Sequence, residues 1–219
     1  KKLTPGRGGM LAGAELLHHP SAGSTYLNFY YDIGNAAPEE MPYLNLLTDV
    51  VDELDTGKHT AQELNTLRNT WLGRSGAWVD GLTGRQPGRP VHAKLVAGMS
   101  LLERSLEKAV ELGGEWLYET KLTGPQAEAA MERVVSQQKL MMEQRFLREG
   151  HAFASMRAAA HFSVEAAMNE RCSGVSYYHF LCGLQEEADW AGLGRRLEAL
   201  REKVLGGNAL TVSLHGSDA

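Results

Sequence analysis

The sequence predicts an α+β fold: a mainly antiparallel sheet with helices packed on one of its faces. Three observations lead there. Segments of strand periodicity are grouped apart from segments of helical periodicity, in the order strands, two helices, strands, several helices, strand. Apolar content of 43% and charged content of 22% in 219 residues sit near the globular average. No internal repeat at solenoid periods is found.

Each element has its own warrant. Residues 1–14 are rich in glycine and basic residues and read as a linker or entry segment. Residues 15–33 read as a hairpin. Leu16-Leu17-His18-His19 leads into a turn at Pro20–Gly23, then an alternating strand puts Leu27, Phe29, Tyr31 and Ile33 on one face and Tyr26, Asn28, Tyr30 and Asp32 on the other. From Glu39 to Leu54 the spacing turns helical, with Met41, Leu44, Leu47, Val50, Val51 and Leu54 in one stripe. Thr60-Ala-Gln-Glu63 is a capping box that opens a second helix running to about Leu72; its N-cap hydroxyl is worth about 1 kcal/mol.

Runs at 77–82 and 91–99 flank the Gly/Pro-rich loop 83–90 and predict an antiparallel pair. A helix begins near Glu103, marked by Leu102, Leu106, Ala109, Val110 and Leu117. A longer one opens at Thr123-Gly-Pro-Gln126, with proline in its first turn, and carries Ala127, Met131, Val134, Met141 and Phe146 as far as Arg148. Gly150 is expected to break it. Shorter helices follow near 151–161, 164–171, 175–187 and 193–205, and 209–214 reads as a closing strand. Residues 15–219 are expected to form a single domain.

Composition excludes several functional classes. A net charge of −5 and a pI near 5.9 disfavour a nucleic-acid binder, which normally carries a basic excess. No apolar run nears the ~20 residues that span a bilayer, so no membrane partner is expected. Cys172 and Cys182 are too few for a disulfide scaffold and read as reduced thiols. With neither a signal peptide nor an initiator methionine, the chain reads as a piece of a longer protein.

No catalytic, cofactor-binding or metal-ligating residue is predicted. Zinc chemistry on a helix needs two histidines about a turn apart with a carboxylate to activate water, and no His-x-x-Glu-His run or counterpart occurs. His59 with Glu63, and His161 with Glu165, each lack a second histidine. His18 and His19 point to opposite faces of a strand. Ser155, Ser163 and Ser176 sit near histidines but outside any Gly-x-Ser-x-Gly elbow. Gly6–Gly9 and Gly206-Gly207 do not match phosphate loops. The arginines 68, 74, 85 and 89 read as a solvated hairpin rim, or as a contact for an acidic partner. Met131, Met141 and Met142 read as core or interface filler. A stand-alone small-molecule enzyme would need a constellation that is not evident here.

Four blocks nonetheless exceed what folding alone requires. They are Leu17–Gly23 with Tyr26–Asp32; Pro42-Tyr-Leu-Asn-Leu-Leu-Thr-Asp-Val-Val-Asp-Glu-Leu-Asp-Thr-Gly57; Gly150–Ser163 with Gly174-Val-Ser-Tyr-Tyr-His-Phe180; and Asn208–Gly216. In this order they resemble the third, non-catalytic domain of presequence proteases, in the insulinase/pitrilysin superfamily of zinc peptidases. The resemblance runs from about residue 15 to the C-terminus. Gly73-Arg-Ser-Gly76, where relatives often pair two glycines, and the basic loop 84–90 depart from it.

The resemblance implies four related α+β domains in two hinged halves that close around an unfolded peptide. The first domain would carry the zinc motif and the last an arginine/tyrosine pair for substrate. This chain would then be structural, with no cofactor of its own, zinc elsewhere in the parent, and the polypeptide's other domains and unfolded peptide as partners. The expected location is cytoplasmic in a bacterium or an organelle matrix in a eukaryote. The competing expectation is an assembly or binding domain in an inactive superfamily member.

Overall fold

The computed structural model describes residues 2–3, 14–20, 24–83, 90–206 and 210–216. Its strands are β1 (Lys2–Leu3), β2 (Glu15–Pro20), β3 (Thr25–Asp32), β4 (Leu72–Thr83), β5 (Val91–Leu101) and β6 (Leu210–Gly216). Its helices are α1 (Met41–Val50), α2 (Ala61–Trp71), α3 (Leu106–Tyr118), α4 (Pro125–Ala159), α5 (Val164–Ser173), α6 (Val175–Glu187) and α7 (Trp190–Leu205). The strands form one sheet in the order β1-β2-β6-β3-β5-β4, antiparallel throughout except that β2 and β6 run parallel. The predicted α+β class is what the molecule has.

One register settles which residues face the helices. Leu16, Val212, Phe29, Ala97 and Ala77 lie in one cross-strand row, and Tyr31, Leu95 and Val79 in the next but one. Parity then places Leu27, Tyr31, Leu95, Met99 and Val212 in the core, all 4% exposed or less. Over this face lie α1, α2 and α5 against β4, α3 against β5, and α7 against β3. Tyr31 and Tyr118 close the β3–α3 contact with hydroxyls 2.9 Å apart.

The expected hairpin over 15–33 is not formed. β6 lies between β2 and β3 and pairs with both. Turn-forming residues mark where a chain reverses, but they do not choose the neighbouring strand. Here a distant segment with a matching apolar face, led by Val212, supplies the pairing. Residues 21–23 of the predicted turn lie outside the described residues, as do 84–89 of the loop joining β4 to β5. Those two strands do pair antiparallel, as expected. The entry segment contributes the short β1, paired antiparallel to β2.

The helices follow their patterns with local corrections. The stripe of α1 is buried as predicted, and Leu46 joins it at 0% exposure, so this helix is enclosed on more than one side. Ten residues are too few for a stable isolated helix, so α1 exists because of what it packs against. Thr60 and Glu63 make the predicted reciprocal cap: Glu63 N–H donates to Thr60 Oγ1 (3.2 Å) and Thr60 N–H to Glu63 Oε2 (2.9 Å).

Gly150 does not end the long helix. The backbone departs from helical geometry at Glu149 (φ −125°, ψ 25°) and α4 resumes to Ala159. Phe146 and Phe153, edge to face at 4.5 Å across the kink, keep both arms on one core. The stripe also shifts at one place, where Met142 is buried and Met141 is 48% exposed.

Leu46→Ala is expected to cost about 2–5 kcal/mol, as much as Leu44→Ala. Thermal or denaturant unfolding measures it; a loss within about 0.5 kcal/mol would mean that α1 has an open flank.

Candidate functional site

The block Gly150–Ser163 and the block Gly174–Phe180 meet at one buried carboxylate. Glu170, 4% exposed on α5, accepts hydrogen bonds from Arg157 Nη1 on α4 (2.7 Å) and from the backbone N–H of Ser176 (3.0 Å). Arg157 also donates to Ser176 Oγ at 2.8 Å. Gly174 sits at the α5–α6 junction, where a Cβ would lie 2.7 Å from the Glu170 carbonyl oxygen. Ser163 caps α5 by accepting from Ala166 N–H at 3.3 Å. The most distinctive residues of this sequence thus form a joint between three helices. Burial pushes the Glu170 carboxyl up, but hydrogen bonds from Ser176 and Arg157 more than reverse this and hold it below the ordinary carboxylate value.

A second buried carboxylate anchors the loop before α2. Glu115, 2% exposed on α3, accepts from Thr56 Oγ1 (2.5 Å) and lies 2.8 Å from His59 Nδ1. Burial raises its carboxyl, and the Thr56 and His59 contacts outweigh that to lower it. His59 is therefore engaged with α3, while Glu63 is spent on the α2 cap, so the two form no ligand pair.

Arg68 corrects the predicted arginine rim. It is only 4% exposed, donates to Asp52 Oδ1 (2.6 Å) and Ser75 Oγ, and lies 3.8 Å over the Trp116 ring. It is a core residue joining α2, β4 and α3. Arg85 and Arg89 fall outside the described residues. So do Gly6–Gly9 and Gly207 of the two glycine runs. Cys172 is buried, and burial pushes its thiol up to about 12, which leaves it unreactive. Among the described residues, no group of three or more His, Cys, Asp or Glu side chains is placed to hold a metal ion.

Among the described residues a groove of about 600 Å³ is polar and runs between α2 and the start of α4. Its carboxylates are already engaged: Asp52 with Arg68, Glu53 with Arg133 (2.9 Å), and Asp55 with Ala61 N–H (2.8 Å) and Gln126 Nε2 (2.6 Å). Asp49, pushed up to about 6 by burial and by neighbouring Asp52, does not line it.

Among the described residues, the sheet face away from the helices carries exposed aromatic side chains. Cross-strand rows there run Trp78, Val96, Tyr30, Thr211 and then Arg74, Ser100, Tyr26, His215, His19. Trp78 (43% exposed) reaches across Gly98, where a Cβ would fall 2.7 Å from the indole, and Val96 beside it is fully buried. Tyr26 is 50% exposed. Sequence alternation on β3 announced Tyr26 and Tyr30 on one face. Trp78 and the histidine row needed the register.

Glu170→Gln is expected to cost about 1.5–3 kcal/mol at pH 7, because it removes a charge-assisted bond from a buried site. A carboxyl held low in the folded state stabilises above its unfolded value, and that contribution is lost as pH falls through the folded value. The variant's deficit should therefore shrink as pH falls below the ordinary glutamate value of about 4.3 towards the lowered folded one. Unfolding at pH 7 and pH 3.5 measures this; a pH-independent deficit would contradict the assignment.

A family model described as peptidase-associated, for subfamily C of the M16 peptidases, matches residues 11–184. The presequence protease 1, chloroplastic/mitochondrial, of Arabidopsis thaliana is 29% identical over 212 residues, covering 94% of this chain and 19% of that protein. A conserved protein from Enterococcus faecalis V583 aligns with TM-score 0.67 at 14% identity, over 94% of this chain and 46% of that one. The first half of the periplasmic protease PqqL from Escherichia coli aligns with TM-score 0.62 at 13% identity, over 94% and 41%. These two likenesses concern the fold. The chain spans about a fifth of the length of the curated relatives it matches. With most of its length matched by the family model, this chain belongs to the peptidase-associated family of M16 subfamily C, in a presequence protease-like form.

Proposed function

We propose that this chain is a structural, chamber-forming domain of a zinc metalloendopeptidase that degrades unfolded peptides, with the zinc held elsewhere in the longer polypeptide. The observation that carries this reading is the family match over residues 11–184, in a chain that spans about a fifth of its relatives. The engagement of its buried charges in helix joints supports a load-distributing role. Glu170, Glu115 and Arg68 each have stabilising partners, and none faces the groove's interior as a free acid or base.

Its partners are other domains of the same polypeptide. Support comes from apolar side chains that a self-sufficient surface seldom displays: Leu147 and Phe162 are each 89% exposed and Val164 is 73% exposed. The sheet face away from the helices, with Trp78 and Tyr26 as rigid aromatic contacts, is the part assigned to unfolded peptide. Nucleic acid and membrane are not among the assigned partners. The setting assigned is bacterial cytoplasm or an organelle matrix, and the compartments in the Arabidopsis relative's name support the second. No described helix is long and apolar enough to cross a membrane.

Two outcomes test the reading. The isolated chain is expected to fold cooperatively and to leave unfolded peptides intact, with or without added zinc; chelator-sensitive cleavage would overturn it. The chain is also expected to bind a hydrophobic dye, and Leu147→Ser with Phe162→Ser to reduce that binding at least twofold. A monomer that binds no dye would remove the case for a covered surface.

A further inference from the structure

The parallel pairing of β2 with β6 sets His19 directly beside His215. Their rings stack with centroids 4.7 Å apart and planes 25° from parallel. Both lie on the sheet face away from the helices, His19 exposed and His215 half-buried, so solvent reaches both residues. We propose that His19 and His215 form a two-histidine site for a late first-row divalent cation, copper(II) foremost.

Bond lengths of about 2.0–2.1 Å place two metal-bound imidazole nitrogens roughly 3–3.4 Å apart. Neighbouring strands at ~4.8 Å already hold the two side chains at that scale. The terminal torsion of histidine is broad, so swinging a nitrogen of each ring towards a shared ion costs little. Among the described residues no third His, Cys, Asp or Glu completes the group. The remaining positions belong to water, and the site differs from the closed four-ligand kind that zinc favours structurally. Imidazole ligands with open positions rank these cations by intrinsic affinity, which peaks at copper(II). Tyr26, across from His215 on β3, shares the same row.

The site exists only when the sheet has formed, because its two ligands come from opposite ends of the sequence. The ion therefore binds the folded chain in preference and clamps β2 to β6. This assignment is independent of the chamber reading and of any catalytic zinc.

The test uses the 219-residue chain, stripped with chelator and titrated with copper(II) chloride. Calorimetry, electron paramagnetic resonance and thermal melting are followed together. Wild type is expected to bind one ion with a two-nitrogen signature and a raised Tm. His19→Ala and His215→Ala should each weaken binding at least tenfold and remove one nitrogen. His215→Phe keeps an aromatic ring in the stack but cannot ligate; it should fold as wild type does and bind as weakly as His215→Ala. His151→Ala, an exposed histidine on α4, should change nothing. If the double variant His19→Ala/His215→Ala binds copper as tightly as wild type, or keeps the two-nitrogen signal, the ion sits on other surface histidines and the site is refuted.

Discussion

Everything in this molecule depends on a strand from the end of the sequence taking a place near the middle of the sheet. β6 gives β2 a parallel neighbour and β3 an antiparallel one, and Val212 pairs with Leu16 on one side and Phe29 on the other. Without it the sheet is two unconnected pieces. The cost is kinetic as well as topological, since pairing over such a separation requires most of the chain to be made and collapsed first. The helical layer offsets that delay by organising locally, through a reciprocal cap at Thr60, a serine cap at Ser163 and an aspartate cap at Asp189.

The helical layer is joined less by ion pairs at the surface than by carboxylates withdrawn from water. Glu170 gathers α4, α5 and α6, and Glu115 fastens the loop before α2 to α3. Each is a demanding group to bury and each has several donors. Arg68 follows the same logic with the opposite charge, packed on Trp116 and bonded to Asp52. Arg157, Gly174 and Ser176 are specified by the geometry of a helix corner.

Much of the fold was legible because periodicity is local. The α1 stripe, the Thr60 cap, the β4–β5 pair and the two faces of β3 all follow from neighbours within a few residues. What was hidden is what long-range packing decides. The supposed hairpin over 15–33 had the wrong partner, because β6 lies between its two strands. Gly150 marked a real disturbance, yet two aromatic rings across it turned a break into a kink. Arg68 looked like surface charge because nothing near it in sequence announces Trp116 beneath it. The candidate surface was half legible: alternation exposed Tyr26 and Tyr30, whereas only the strand order brings His19 to His215.

Among the described residues β4 has a neighbour on one side only, and its twelve residues make it a long outer margin of the sheet. Such margins attract stray strands, and proteins usually blunt them. This one carries Arg74 and Asp80 along its length and a register irregularity between Leu72 and Arg74. The irregularity interrupts the ladder that an approaching strand would have to match near the start of β4. The same chain that offers aromatic rings on its broad face thus carries along its rim a margin whose regular pairing pattern is broken near one end.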